Sequence, residues 1–344
     1  MAYVALLVSL LVILAGSELF TNGVEWVGEA FGLSEGAVGS VLAAVGTALP
    51  ETVLPIVAIV TGQAAGEDIG IGAILGAPFM LTTLAMVVLG TATLIFHRTR
   101  GRSTELDADP IVLRQDLGYF LVMYTLAAFA GVIHVVALHW ALAVVLVVGY
   151  VFYVKRHFEK PNEDSLAEEA ESEIKPLYVW RGLRRFARSM PPWSKSSPVW
   201  PSLVQVALAL VFIVGGARLF VSGVTVLSER LGVSHLVFSL LLAPLATELP
   251  EKFNSVIWVR RNKDTLALGN MTGAMVFQSS FPVGVGLLLT PWRLSGAALV
   301  AAVIALAAGS VLYATVRFRG ALGAWVLLWQ GVFYVAYVAY VLTR

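Results

Sequence analysis

Two carboxylates carry the chemistry this sequence offers. Glu51 closes the run Gly46-Thr47-Ala48-Leu49-Pro50-Glu51, and Glu251 closes Ala246-Thr247-Glu248-Leu249-Pro250-Glu251. Each run sits inside an apolar stretch long enough to cross a bilayer. A carboxylate at that depth is costly and marks an ion path, a proton relay or a ligand site. A proline in the same turn removes a backbone donor and so frees a helical carbonyl. Pro50 and Pro55 do this around Glu51, and unwound backbone near Ala44 and Thr47 can then turn carbonyl oxygens inward. Pro244 and Pro250 do the same around Glu251. A carboxylate plus freed carbonyls is the ligand set of a dehydrated hard cation. Two carboxylates facing each other at low dielectric repel, and both stay ionised only with a cation between them. One divalent ion neutralises the pair. Protons do so too, as do sodium ions that also take carbonyl and hydroxyl oxygens. Ions competing for one pair of acids are what an exchanger needs. The plainer alternative for either acid is a protonated side chain hydrogen-bonded to a neighbouring helix.

The elements that must hold these acids are membrane helices. The chain has 344 residues, 58% hydrophobic and only 13% charged, whereas a soluble domain carries about 25% charge. Apolar runs of about 20 residues, the length a spanning helix needs, recur along it. The fold class expected is an all-α polytopic membrane protein of ten spans, near 2–22, 35–61, 69–96, 117–132, 135–155, 201–227, 235–259, 264–289, 293–316 and 321–342. The apolar start lacks a basic leader region and reads as a retained helix rather than a cleaved signal. Without cysteine there is no disulfide or thiolate-metal chemistry. The net charge of +1 says little about partners, and no nucleic acid, cofactor, enzymatic activity or protein partner is expected.

The chain repeats. Shifted by 200, Gly16, Leu19, Phe20, Gly23, Val24, Glu29, Gly32 and Ser34 meet Gly216, Leu219, Phe220, Gly223, Val224, Glu229, Gly232 and Ser234. The same register carries Leu42, Ala43, Thr47, Leu49, Pro50 and Glu51 onto Leu242, Ala243, Thr247, Leu249, Pro250 and Glu251. At a shift of 197, Gly72-x-x-x-Gly76 then meets Gly269-x-x-x-Gly273. Residues 1–156 and 200–344 each hold five spans, and 157–199 join them. An odd number of spans turns the second copy over, giving two inverted five-helix repeats with a site between them near the midplane.

Lys and Arg set the orientation. Arg98, Arg100, Arg102 and Arg114 lie between spans three and four, Arg260, Arg261 and Lys263 between seven and eight, and Arg317 and Arg319 between nine and ten. With the long central loop, all fall on one side, read as cytoplasmic, which leaves both termini outside and fits a prokaryotic cytoplasmic membrane. Within the central loop, Glu163 to Glu173 is acidic and poor in apolar residues. Trp180 to Met190 is a basic amphipathic helix: Arg181, Arg184, Arg185 and Arg188 share a face opposite Trp180, Leu183, Ala187 and Met190. That pattern suits anionic lipid, or serves only to fix topology. His134, His139 and His235 read as interfacial, and Glu18 and Arg218 occupy equivalent repeat positions.

The paired turns, each followed by Gly-x-x-x-Gly, resemble the two alpha-repeats of the calcium:cation antiporter superfamily, whose best-known branch is the sodium/calcium exchangers. The family pattern is close to Gly-Thr-Ser-Leu-Pro-Glu, then Gly-Asn-x-x-Gly-Ser-Asn. The resemblance implies alternating-access exchange of calcium for sodium or protons, with Glu51 and Glu251 as shared metal ligands and the backbone of Thr47 and Thr247 assisting. The chain departs from the pattern at Ala77 and Ala274, which stand where the family has Ser, and at Leu81 and Gln278, where it has polar or acidic residues. Ala48 and Glu248 stand at the hydroxyl position after each threonine. These losses bear on sodium coupling. Glu248 either faces the site, favouring a divalent ion or protons, or faces its own half-helix. Asn270, Thr272, Gln278, Ser279 and Ser280 are the polar groups left on span eight; Gln278 is either a ligand or an interhelical hydrogen-bond partner. A lipid-pyrophosphate phosphatase also uses intramembrane Glu, but it needs an Arg/Ser phosphate cradle that this sequence lacks. A channel is the third class, and broken helices in two non-identical halves suit rocking better than a fixed pore.

Overall fold

In lipid every backbone donor and acceptor must be satisfied within its own segment, so the apolar runs become helices. The computed structural model describes residues 2–31, 49–61, 65–101, 103–133, 135–159, 176–186 and 199–343. In chain order the helices are α1 (Ala2–Ala30), α2 (Leu49–Val60), α3 (Gly66–Thr82), α4 (Leu84–Arg100), α5 (Pro110–Val132), α6 (Val136–Glu159), α7 (Tyr178–Phe186), α8 (Trp200–Leu231), α9 (His235–Thr247), α10 (Leu249–Arg260), α11 (Asp264–Gln278), α12 (Phe281–Leu289), α13 (Gly296–Arg319) and α14 (Ala324–Leu342). Two-residue strands β1 (Glu105–Leu106) and β2 (Leu322–Gly323) pair antiparallel. Among the described residues, eight segments are long and apolar enough to cross a membrane. This is an all-α polytopic membrane protein. Valines such as Val144, Val148 and Val151 stay exposed along one side of α6, as a lipid-facing surface should.

Several expected spans are broken rather than continuous. Span three divides into α3 and α4 at Thr83, and span eight into α11 and α12 at Ser279–Ser280. The two breaks coincide under the 197-residue shift. Their backbones coincide too: Thr83 has φ −114 and ψ −86, Ser280 φ −119 and ψ −76. Hydroxyls explain why a break is tolerated at this depth. Thr82 donates to the Pro78 carbonyl (2.8 Å), Thr83 to that of Phe79 (2.6 Å) and Ser280 to that of Val276 (2.7 Å), so freed acceptors find donors. Span seven divides into α9 and α10 at Glu248. The first half of span two, with Ala44 and Thr47, lies outside the described residues. Span four starts at Pro110 rather than 117, because the Asp109 side chain accepts from the Ile111 amide (2.7 Å) and Pro110 starts the helix. Glu67 and Asp68 belong to the first turn of α3, where acids suit the helix dipole, not to the preceding loop.

Small residues set two close helix contacts. Helix α1 packs along α8. A Cβ on Gly16 would lie 2.8 Å from Ile213, and one on Gly216 would lie 2.8 Å from Ile13. The 200-residue shift exchanges these two contacts. Gly72 and Gly76 of α3 take the main-chain oxygens of Leu236 and Leu240 of α9, where any Cβ would collide with backbone. Ser239 fastens the same pair by donating to the Ile69 carbonyl (2.7 Å). Around them lies a core with Phe79, Phe120, Tyr124, Trp292 and Tyr337 at its centre.

Three of the basic loops meet on one side. β1 joins β2, and the Asp107 amide donates to the Asp264 carboxylate (3.0 Å). The short helix α7 is pinned at its start to α1 and α8. Tyr178 donates from its amide to Asn22 (3.1 Å) and from its hydroxyl to Glu18 (2.6 Å), and Val179 donates to Gln205 (2.8 Å). The acidic stretch 163–173 and residues 187–190 of the basic segment lie outside the described residues.

Replacing Gly76 by Val should loosen α3 from α9. Overpacking costs about 1–3 kcal/mol, and the backbone carbonyl of Leu240 cannot swing aside as a side chain would. Thermal unfolding of the purified protein should show a lower Tm than for Gly118→Val, where the nearest atom to a new Cβ is 3.7 Å away.

Candidate cation site

The Pro-Glu turn is a helix start. Pro50 lies in the first turn of α2, where its missing N–H would have had no partner anyway, and Glu51 follows it. A carboxylate there meets the positive end of the helix dipole. Pro250 takes the same place in α10, with residue 251 next to it. The Glu251 side chain lies outside the described residues. Between α9 and α10 the chain turns at Glu248, with φ −85 and ψ 7.

Glu51 is buried, 5% exposed, although it is a carboxylate in a membrane helix. It lines a tight space with Leu54 and Pro55 of α2, Ala73 and Ala77 of α3, and Ala243, Pro244 and Thr247 of α9. The first Pro-Glu turn thus shares this space with the end of α9, the helix that precedes the second turn. The Thr247 hydroxyl donates to the Ala243 carbonyl of its own helix (3.1 Å) and is buried. Ala73 and Ala77 stand where the family pattern has Asn and Ser, so α3 presents methyl groups to the space.

The other predicted residues that are described do not line this space. Gln278 ends α11 at the helix break; it is buried, and its Oε1 has no hydrogen-bond partner among the described residues. Asn270 is half-buried and donates to the Ser255 hydroxyl of α10 (3.2 Å), tying α11 to the helix that carries Glu251. Thr272 donates to Asp116 (2.6 Å), which also accepts from Tyr153 (3.0 Å), a buried cluster the sequence did not signal. His139 sits where α5 ends, its Nε2 2.9 Å from the Ala130 carbonyl.

Of the two orientations open to Glu248, the structure has the one toward its own half-helix. Its Oε2 is 2.8 Å from the Lys252 ammonium, and both side chains are buried, with 6% of the lysine and 2% of the glutamate exposed. The ammonium also lies 3.5 Å from the Pro244 carbonyl. Glu248 does not line the space around Glu51. Lys252 is the residue that sequence reasoning missed. Its signal was the four-residue spacing Glu248-x-x-x-Lys252, which puts acid and base on one helical face.

Broken membrane helices and a buried carboxylate in the first turn of one of them suit the passage of cations. The class is a membrane cation antiporter. The chain belongs to the sodium/calcium exchanger protein family, whose profile matches residues 1–156 and 201–343. It is similar to the putative antiporter CaxA of Alkalimonas amylolytica, 25% identical over 298 residues, which cover 86% of this chain and 83% of that one. It is equally similar to the inner membrane protein YrbG of Escherichia coli K12, 25% identical over 297 residues, 85% of this chain and 81% of that one. Among solved structures, the H+/Ca2+ exchanger CAX superposes with a TM-score of 0.71 at 19% identity, covering 99% of this chain and 86% of its own. The sodium-calcium exchanger NCX_Mj gives 0.56 at 22% identity, covering 98% and 97%. These two share the fold.

Removing one member of a buried ion pair costs about 3–5 kcal/mol, because the other charge is stranded. Lys252→Met should therefore unfold at a markedly lower temperature in choline chloride. The double variant Glu248→Gln, Lys252→Met should recover most of that loss, since no charge is left without a partner. Thermal unfolding of the three proteins side by side checks this.

Proposed function

We propose that the chain exchanges calcium for monovalent cations by alternating access, with Glu51 and Glu251 as the shared ligands. The observation that carries this reading is the buried Glu51, set in the first turn of a half-helix and facing Thr247 across one tight space. Main-chain carbonyls near Ala44, Thr47 and Thr247 complete the oxygen set. The Gln278 amide oxygen, buried without a described partner, and Asn270 supply polar groups from span eight. Glu248 is left out of the ligand set because Lys252 holds it.

Two inverted repeats of five spans, 1–156 and 200–344, supply the frame. The exchanged contacts of Gly16 and Gly216 support a two-fold relation between the halves, as do the matching breaks at Thr83 and Ser280. The basic loops then lie in the cytoplasm, both termini lie outside, and 157–199 form a cytoplasmic connection whose segment Trp180–Met190 rests on anionic lipid.

The net charge of Glu51 and Glu251 matches one calcium ion or two protons. Sodium is the counter-ion that the family resemblance suggests first. Protons are favoured by a specific observation: Ala73 and Ala77 line the space, so the wall offers sodium no hydroxyl or amide there.

Radiolabelled calcium uptake into proteoliposomes tests both parts. Uptake driven by an inside-acid pH gradient is expected, and uptake driven only by an outward sodium gradient would select the sodium reading instead. Absence of uptake under either gradient defeats the exchanger reading. Glu51→Gln should lower uptake at least about a hundredfold, the loss of one charged ligand being worth ~3 kcal/mol. Transport at the parent rate by Glu51→Gln would remove this residue from the site.

A further inference from the structure

The Glu248–Lys252 pair has no counterpart in the first repeat. The 200-residue shift brings Ala48 and Thr52 to these two positions, so acid and base are present together in one half and absent together in the other. We propose that Lys252 is a tethered monovalent cation: its ammonium fills a cation position at the second Pro-Glu turn that a sodium ion would otherwise take. This rests on the reading of the two turns as a cation site.

The ligands around the ammonium make the case. They are a carboxylate oxygen at 2.8 Å and, at 3.5 Å, the Pro244 main-chain carbonyl, which also accepts the Glu248 amide (3.1 Å). Carboxylate plus carbonyl at a helix break is the oxygen set that a small monovalent cation accepts. Pro244 also lines the space shared with Glu51, so the ammonium borders the transport site through that residue. The position is sealed from solvent: lysine and glutamate side chains are 6% and 2% exposed. Glu248 Oε1 is buried and has no hydrogen-bond partner among the described residues, so the lysine satisfies only one of the two oxygens. A simple structural clasp would gain by closing both. A cation position occupied by a three-donor ammonium on a fixed stem leaves one oxygen over.

The consequence concerns selectivity. A buried carboxylate must be neutralised, since its desolvation costs several kcal/mol. A diffusible ion does this in proportion to its concentration. A lysine one helical turn away does it at every concentration and cannot be carried across. Lys252 thus removes one monovalent ion from what the second turn can bind, and makes that position indifferent to sodium.

Sodium binding measured without calcium tests the idea. Purified parent, Lys252→Met, and the double variant Glu248→Gln, Lys252→Met are compared for Tm in sodium chloride against choline chloride at equal ionic strength, and for binding of radiolabelled sodium. Lys252→Met should acquire a sodium-dependent rise in Tm beyond any shown by the parent, and bind sodium at least about tenfold more tightly, which is ~1.4 kcal/mol. The double variant should lose that gain. Lys252→Gln keeps the stem and a donor to Glu248, and should show the same gain should the methionine protein fail to fold. A sodium response equal to the parent's in both single variants overturns the proposal, as does a gain that survives in the double variant. No step involves calcium, so failure here is distinct from failure to exchange calcium.

Discussion

A charge inside a bilayer must be compensated where it stands, and much of this molecule follows from that constraint. Glu51 is placed at a helix start, where the dipole favours an anion and the proline removes a donor that had no acceptor. A helix break leaves carbonyls to satisfy, and at the Thr83 and Ser280 breaks neighbouring hydroxyls donate to the main chain. Polar atoms that look like potential ligands in the sequence are thus partly engaged in holding the break open. Thr247 illustrates this, lining the space next to Glu51 while its hydroxyl is committed to Ala243.

Close helix approach is the second condition. Spanning helices associate through packing, not through a hydrophobic drive between them, and small residues allow their backbones to meet. Gly72 and Gly76 let α9 lie directly on α3, which brings Thr247 and Pro244 to Glu51. The glycines of α1 and α8 act differently. Their contact is exchanged with itself under the repeat and lies beside the site rather than in it. A contact of that kind has the same shape from either partner, a geometry suited to two elements that move together against a fixed core.

The sequence repeat does not extend to every polar position. The first copy has Ala48, Ala73 and Ala77 where the family pattern has polar residues, and the second has a full ion pair beside its turn. Glu248 and Lys252 cancel, so the added acid brings no net charge to the second turn.

The sequence by itself determined the membrane class, the paired turns and the register of the repeat, because these depend on local composition and spacing. Apolar length requires helices. The Pro-Glu turn was legible for the same reason. What only the tertiary structure decided is which partner each polar group takes. Glu248 had two open directions, and its choice depends on Lys252 lying one turn along the same buried face. Thr272 reaches Asp116 because helices distant in sequence pack side by side, and Asn270 reaches Ser255 across the turn between consecutive helices. The acids at the two Pro-Glu turns were visible as chemistry from the start. That the first of them shares a closed space with the turn before the second depends on α3 and α9 meeting backbone to backbone, a contact between residues far apart in the chain that no local pattern encodes.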